Sequence, residues 1–377
     1  MNILQVIQFL SPKFGGSVAV PVQLSKELAK KNHNVTIVTS DYGFDTKYAQ
    51  EIKESGVKVI PFRAIINLGQ FIYSPALKSW SREHVKNYDI IHLHNFRSYQ
   101  NNVISDCAIT YNIPYILQAH GSVLPFHEKQ GLKRLYDLVW GKKILSFSSN
   151  VFALTETEAE QYQTMGVSKN KIKIVPNGLD LSEFLNTPPY GKFRCKYNIS
   201  EKEKIILYLG RIHETKGLDL LIDSFYEITR TRNNVQLIMI GPDDGYLLHV
   251  LKKIHELDLE NKIRILGFIE QEEKIEALVD ADVFVTPSFY GFPVTFLEAM
   301  ACGTPVITTT CGDNLDWLDN NVGFIVEYDR MQLKGAVEKI LDNNDIYLKF
   351  QENGLQLIRS RFNWDTISND ILELYKK

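Results

Sequence analysis

"TPSFYGFPVTFLEAMACGTPVIT" at residues 286–308 decides the fold class. It opens on the end of an apolar run, turns at a glycine, continues with helical spacing and closes on a second apolar run. That is strand, turn, helix, strand, the repeating unit of a parallel sheet. Pro293 suits a first helical turn. Backbone N–H groups near Val294 and Thr295 would then face the crevice beyond the strand ends, where they could meet an anion. Glu298 lies deeper in the same helix, among Leu297, Ala299, Met300 and Ala301. An acid among residues of buried type needs a hydrogen-bonding partner, and paired sugar hydroxyls are a good one.

Outward from this stretch the same alternation recurs. Toward the C-terminal side of the chain, "KIILYLGR", "VQLIMIG", "KIRILGFI", "DVFVTPS", "PVITTT" and "GFIVE" read as strands, with helices near 216–230 and 246–257 between them. The first half has its own series: "NILQVIQF", "NVTIVTS", "VKVIPF", "DIIHLHN", "PYILQAH", "VFALT" and "IKIVPNG". Near-continuous apolar runs suit parallel strands covered on both faces. "PVQLSKELAKKN" puts a proline near a helix start, with Val22, Leu24 and Leu28 facing one way. Two such series imply two doubly wound α/β domains. The segment 186–204 is polar, has adjacent prolines and shows no strand pattern, so it reads as a linker with a short lead-in helix.

Composition narrows the function classes. The 377 residues are 44% hydrophobic and 23% charged with a net charge of −3. That balance describes a globular enzyme with no basic field for nucleic acid. No apolar run reaches the ~18–20 residues of a membrane span. The opening residues lack the basic and apolar regions of a signal peptide. Four cysteines without a CxxC pair favour a reducing compartment over a disulfide scaffold. The expected location is cytoplasmic.

Other stretches carry candidate chemistry. In "LYLGRIHETKGLDLLIDSF" (207–225), Arg211 and Lys216 follow a strand end and precede an amphipathic helix. Two cations there could neutralise a diphosphate, or be solvated loop residues. "FLSPKFGGSVAVPVQLSKEL" (9–28) places Gly16 in a Gly-Gly turn at a helix start, either an anion-binding turn or an ordinary tight turn. "YILQAHGSVLP" (115–125) sets His120 at the end of a strand, where it could donate hydrogen bonds into a crevice or be a satisfied histidine of a strand-end turn. His92 and His94 share a strand face, but further metal ligands are not legible, so no metal is expected. "HEKQGLKRLYDLVWGKKIL" (127–145) mixes cations and apolar residues at helical spacing. An amphipathic helix against the sheet and a helix lying on an anionic membrane surface both fit it.

In their order along the chain, "GGS", "AHG", "VPNGLD", "GRIHETKG" and "GFPVTFLEAMACGTPVI" resemble the retaining nucleotide-sugar glycosyltransferases of glycosyltransferase family four, glycosyl transferases group 1. The terminal "RFNWDTISNDILELY" resembles that family's closing helix. The resemblance covers nearly the whole chain. It implies the GT-B fold, two Rossmann-like domains facing across a cleft. The domains would be an acceptor-side domain over 1–185, a donor domain over 186–361, and a last helix at about 362–377 packing back on the first.

The resemblance also implies roles. Arg211 and Lys216 would bind the donor diphosphate, and Glu298 the ribose. Gly16, Val294 and Thr295 would contact phosphate or donor sugar through the main chain, alongside the turn Tyr290-Gly291-Phe292. His120 would contact the donor sugar near the reacting centre, and the base would lie beside Phe268 and Ile269. The donor would be a UDP- or GDP-linked sugar, with no other cofactor. The acceptor would be a glycan or a lipid-linked glycan in cell-surface polysaccharide synthesis, with peripheral membrane contact as one option and the oligomeric state open.

Members of that family usually carry two glutamates eight positions apart; counting back from Glu298 reaches Tyr290, whereas aligning from "PS" leaves the first glutamate simply absent before Gly291. The Tyr290 hydroxyl and the backbone turn are expected to take over its role. Three other readings remain: a GT-B phosphorylase, a GT-B epimerase, and a silent nucleotide-sugar-binding protein. A dinucleotide oxidoreductase is disfavoured because GxGxxG is missing.

Overall fold

A computed structural model describes the chain apart from residues 69–70, 125–129, 290, 314 and 377. It divides into two compact units, Met1–Gly178 with Trp364–Lys377, and Leu179–Asn363.

The first unit holds a seven-stranded sheet. In spatial order its strands are Lys58–Phe62, Asn34–Ser40, Asn2–Val6, Ile90–His94, Tyr115–Gln118, Asn150–Ala153 and Ile172–Ile174, all parallel. The second unit repeats the scheme with six parallel strands. They are ordered Ile263–Gly267, Val235–Ile240, Lys204–Leu209, Val283–Val285, Val306–Thr309 and Gly323–Val326. In both, the first strand of the unit is central and the order reverses beside it. Doubly wound sheets bind ligands beyond the carboxyl ends at that reversal. The reversal puts residues 7–16 and 95–98 at the crevice of unit one, and 210–217, 286–289 and 291–293 at the crevice of unit two.

The sequence pattern explains these sheets. Every residue of Val235–Ile240 is buried, as is Ile205–Leu209, because helices cover both faces. Helices begin where a side chain accepts an orphan N–H: Asp45 from Tyr48, Ser98 from Asn101, Thr155 from Glu158. The first helix departs from the sequence reading. It starts at Gly16, so Pro21 sits inside it rather than near its first turn.

The polar stretch 186–204 is not the crossing between units. Arg194 is 2% exposed and anchors this stretch within unit two. Its guanidinium pairs with Asp282 at 3.0 Å, and its backbone N–H donates to Asp280 at 2.8 Å. The chain passes between units at Gly178/Leu179 and returns at Asn363/Trp364. Within unit one, a Cβ on Gly178 would stand 2.8 Å from the Trp364 ring and 2.9 Å from its backbone nitrogen, so only glycine fits. The final helix, Trp364–Tyr375, buries Ile367, Ile371, Leu372 and Tyr375 in the core of unit one.

Candidate functional site

Unit two gathers most of the expected residues. The strand Lys204–Leu209 ends at Gly210, and Arg211 follows. The Tyr208 hydroxyl donates to the Arg211 carbonyl at 2.8 Å and holds the loop. The Arg211 guanidinium is exposed and pairs with Asp244. Lys216 closes a short 3₁₀ turn, Glu214–Lys216, and among the described residues it makes no ion pair. Burial, and then the nearby Arg211 charge, lower its pKa below the ordinary lysine value. A cation so placed is stabilised by any anion that arrives. Gly217 follows with φ +70°, and a Cβ there would lie 3.0 Å from that of Pro287. That close approach lays the cation loop against the loop leading to the next helix.

That helix is Val294–Ala301, with Pro293 as its cap rather than in its first turn. The N–H groups of Val294 and Thr295 make no hydrogen bond among the described residues, as expected for a helix start that can receive an anion. Gly291 has φ +78° and open space where a Cβ would be. Phe292 packs its ring 5.7 Å from Phe362 and 6.3 Å from Trp317, so its side chain braces the turn from the core side. Tyr290 lies outside the described residues.

Glu298 is buried, as its neighbours implied, but it has a partner the sequence reading did not supply. Lys274 Nζ donates to Glu298 Oε1 at 2.6 Å. The buried acid is therefore neutralised from the helix Gln271–Asp280, and burial alone no longer calls for a sugar. Glu298 Oε2 makes no hydrogen bond among the described residues and remains available. At the adjacent strand end Phe268 is 71% exposed, whereas Ile269 packs partly into the core. Beside them Ile212, Gly241, Leu247, Ile265, Leu266 and Gly267 line a largely apolar cavity of about 350 Å³.

Unit one carries Gly16 and His120. Gly16 opens the helix Gly16–Lys30, its N–H unbonded among the described residues, with open space around it. His120 has φ +53°, a left-handed conformation that costs a non-glycine residue roughly 1–2 kcal/mol. Its loop is held by surrounding groups. Glu158 accepts the N–H of Gly121 and of Leu154, each at 2.7 Å. The Tyr162 hydroxyl accepts the Ala119 N–H at 3.0 Å. Arg97 donates to the carbonyls of Ser122 (2.6 Å) and Val123 (2.9 Å) and is paired with the buried Asp137.

The His120 ring ends a polar chain inside the sheet. The Gln5 carbonyl accepts from His94 Nε2 at 2.6 Å, and His94 Nδ1 lies 2.9 Å from His120 Nε2. A neutral imidazole has one N–H, so His94 accepts through Nδ1 and His120 donates through Nε2. His120 Nδ1 is left as an acceptor suited to a hydroxyl. Burial holds the His120 pKa down at about 4 and that of His92 at about 3, and it pushes His94 well below its ordinary value. His92 Nδ1 meets the Tyr375 hydroxyl of the final helix at 2.7 Å.

Lys274, Gln5, Glu158 and Arg97 were missed from sequence. Only His94 had a visible signal, its shared face with His92. No group of three or more acids, histidines or cysteines among the described residues could hold a metal ion. None of their helices is long and apolar enough to cross a membrane.

Comparison with known proteins follows this division. A family model described as Glycosyltransferase Family 4 matches residues 14–183. One described as Glycosyl transferases group 1 matches 190–357. An uncharacterized glycosyltransferase of Methanocaldococcus jannaschii is 25% identical over 397 residues, covering 100% of this chain and 98% of the relative. A phosphatidyl-myo-inositol mannosyltransferase of Mycobacterium leprae is 24% identical over 375 residues, covering 96% and 93%. The crystal structure of Anabaena HepE in complex with UDP superposes with a TM-score of 0.81 at 19% identity, covering 100% of both chains. At that identity the likeness shows the fold alone. With a doubly wound unit beneath each family match, the chain belongs to the group 1, family four glycosyltransferases and has their GT-B fold.

Proposed function

We propose that the protein is a retaining hexosyltransferase that moves a sugar from a UDP- or GDP-linked donor to a glycan or lipid-linked acceptor, in cell-surface polysaccharide or glycoconjugate synthesis. The observation that carries this reading is Lys216. Among the described residues it is a partly buried cation without an ion pair, beside Arg211 and a loop leading to helix N–H groups without hydrogen-bond partners. Such a site suits the charge that develops when a sugar–phosphate bond breaks.

The reaction balances simply. The anomeric C–O bond to the diphosphate breaks and its electron pair leaves with the nucleoside diphosphate. The acceptor oxygen bonds to the anomeric carbon on the face the diphosphate leaves, and its proton passes to a diphosphate oxygen. No carboxylate nucleophile is assigned. Lys216, Arg211 and the N–H groups of Val294 and Thr295 stabilise the departing charge; one such contact is worth roughly 3–4 kcal/mol. Glu298, with one oxygen held by Lys274, offers the other to ribose hydroxyls. The apolar cavity lined by Ile265, Leu266 and Gly267 receives the base, and Phe268 and Ile269, next in the chain, keep their expected place beside it. Gly16 contacts phosphate through its main chain, and neutral His120 accepts from a donor-sugar hydroxyl. Tyr290 keeps its expected role in place of the absent glutamate. HepE structures that hold UDP and UDP-glucose support the donor class, and the mannosyltransferase relative supports a lipid-linked acceptor. The proposal includes a cytoplasmic location, which four free cysteines support.

The test is nucleoside diphosphate release from UDP- and GDP-sugars with and without acceptor glycolipids. Acceptor-dependent release with a retained anomer is the expected result. Release that requires inorganic phosphate would make the protein a phosphorylase. Donor binding without turnover on any acceptor would make it a silent binding protein.

A further inference from the structure

The polar chain that ends at His120 has its other end on the final helix. Gln5 sits on the central strand Asn2–Val6, beside His92 in the register. Its strand neighbours Ile3 and Ile7 pack in one core with Trp364, Ile367, Ile371 and Tyr375 of the final helix. Gln5, His92 and His94 are fully buried. Polar groups enclosed in an apolar core must satisfy one another, and that restricts where their protons can lie.

With neutral imidazoles, each ring has one donor and one acceptor. Keeping every bond, the chain has two settings. In the one observed, the Gln5 amide donates from Nε2 to the Tyr375 hydroxyl at 3.4 Å and accepts from His94 Nε2 at 2.6 Å. The hydroxyl has a single proton, which it donates to His92 Nδ1 at 2.7 Å. His94 then carries its proton on Nε2, and so does His120, 2.9 Å away. Turning the Gln5 amide over would reverse every bond. The amide would donate to His94, His94 Nδ1 would donate to His120 Nε2, and the His120 proton would move to Nδ1. The observed setting leaves the His92 Nε2 proton without a polar partner among the described residues, with the Phe152 ring edge-to-face at 5.3 Å.

We propose that Gln5 and Tyr375 are positioning residues that fix the tautomer of His120. The Tyr375 hydroxyl sets the turn of the Gln5 amide, and the amide acts on His120 through His94. The final helix thereby decides that His120 Nδ1 accepts a hydrogen bond and does not donate one. Such a nitrogen selects a sugar that presents a hydroxyl to it and rejects one that presents a carbonyl or an ether oxygen. That selectivity rests on the proposed function; the tautomer lock itself does not.

NMR of the full chain at alkaline pH, with heavy nitrogen in its histidine rings, reads which nitrogen of each imidazole carries the proton. His120→Gln identifies the His120 signals by removing them. In the wild type, His94 and His120 should both carry the proton on Nε2. Tyr375→Phe keeps the packed ring but frees the Gln5 amide to turn, so His120 should become a mixture of tautomers. Gln5→Met should do the same. Gln5→Glu, whose carboxylate only accepts, should keep the proton on Nε2. Where transfer is measured, kcat/KM should fall by up to about fivefold in Tyr375→Phe. A purely structural role would lower the melting temperature and leave the tautomer alone. A proton on Nδ1 of wild-type His120, or one unchanged tautomer in both Tyr375→Phe and Gln5→Met, would overturn the proposal. The expected tautomers in a chain without transferase activity would sink the proposed function and leave the positioning standing.

Discussion

The two units share one strand order and differ in what they place at the crevice end. Unit two offers cations, Arg211 and Lys216, near helix N–H groups that make no hydrogen bond among the described residues. Unit one offers neutral imidazoles, with His92, His94 and His120 held uncharged by burial. One end suits a diphosphate, the other suits hydroxyls. The same backbone scheme thus carries a charged strand end in one unit and a neutral one in the other, and side chains alone make the difference.

The largest test of this contrast is to charge the neutral half. The folded pKa values of the three imidazoles lie below the unfolded value of about 6.5. The folded state therefore refuses protons that the unfolded chain accepts as pH falls below that value. Their contribution is complete above it and is lost on acidification toward about 4, where His120 itself titrates. Unfolding free energy should fall by roughly 1.4 kcal/mol per pH unit for each imidazole in that window. Denaturant melts at several pH values check this; His92→Asn should flatten the slope.

Removing the charge from the other half comes next. Lys216→Ala should lower kcat/KM by about 3–4 kcal/mol in transition-state terms, and Arg211→Ala by less, because Arg211 is exposed and paired with Asp244. Full activity in both variants would end the diphosphate assignment. Because its pKa is lowered, Lys216 should also lose its charge, and donor affinity with it, at a lower pH than an ordinary lysine. Glu298→Gln should cost about 1–3 kcal/mol, since it also leaves the Lys274 ammonium without its counter-charge. If Glu298 holds ribose, that variant should narrow the difference in affinity between UDP and 2′-deoxy-UDP. The smallest effect, about 1 kcal/mol, is expected for Tyr290→Phe, with donor affinity restored by Tyr290→Glu. Unchanged affinity and turnover in both would remove Tyr290 from the site.

The alternation of strands and helices was legible because parallel strands buried on both faces must be apolar along their whole length, as Val235–Ile240 is. The glycine turns were legible because local conformation demands them. The partners of the candidate residues were not, because they are distant in sequence. Lys274 stands 24 positions from Glu298, Gln5 stands 89 from His94, and Arg97 stands 40 from Asp137. The polar segment 186–204 misled for the same reason, since Arg194 finds Asp282 across 88 positions. A chain that reads as a solvated linker is tied down by a pair that no local pattern announces.

The sequence by itself determined two doubly wound domains, the helix start at Val294 and Thr295, and the cation loop at Arg211 and Lys216. Each is set by residues within a turn or two of one another. Tertiary structure alone decided the charge state of the site. It paired Glu298 with Lys274, left Lys216 without an ion pair among the described residues, and held three imidazoles neutral, His92 and His94 fully buried and His120 partly so. Charge in a protein depends on burial and on neighbours in space, and neither is written in the order of the chain.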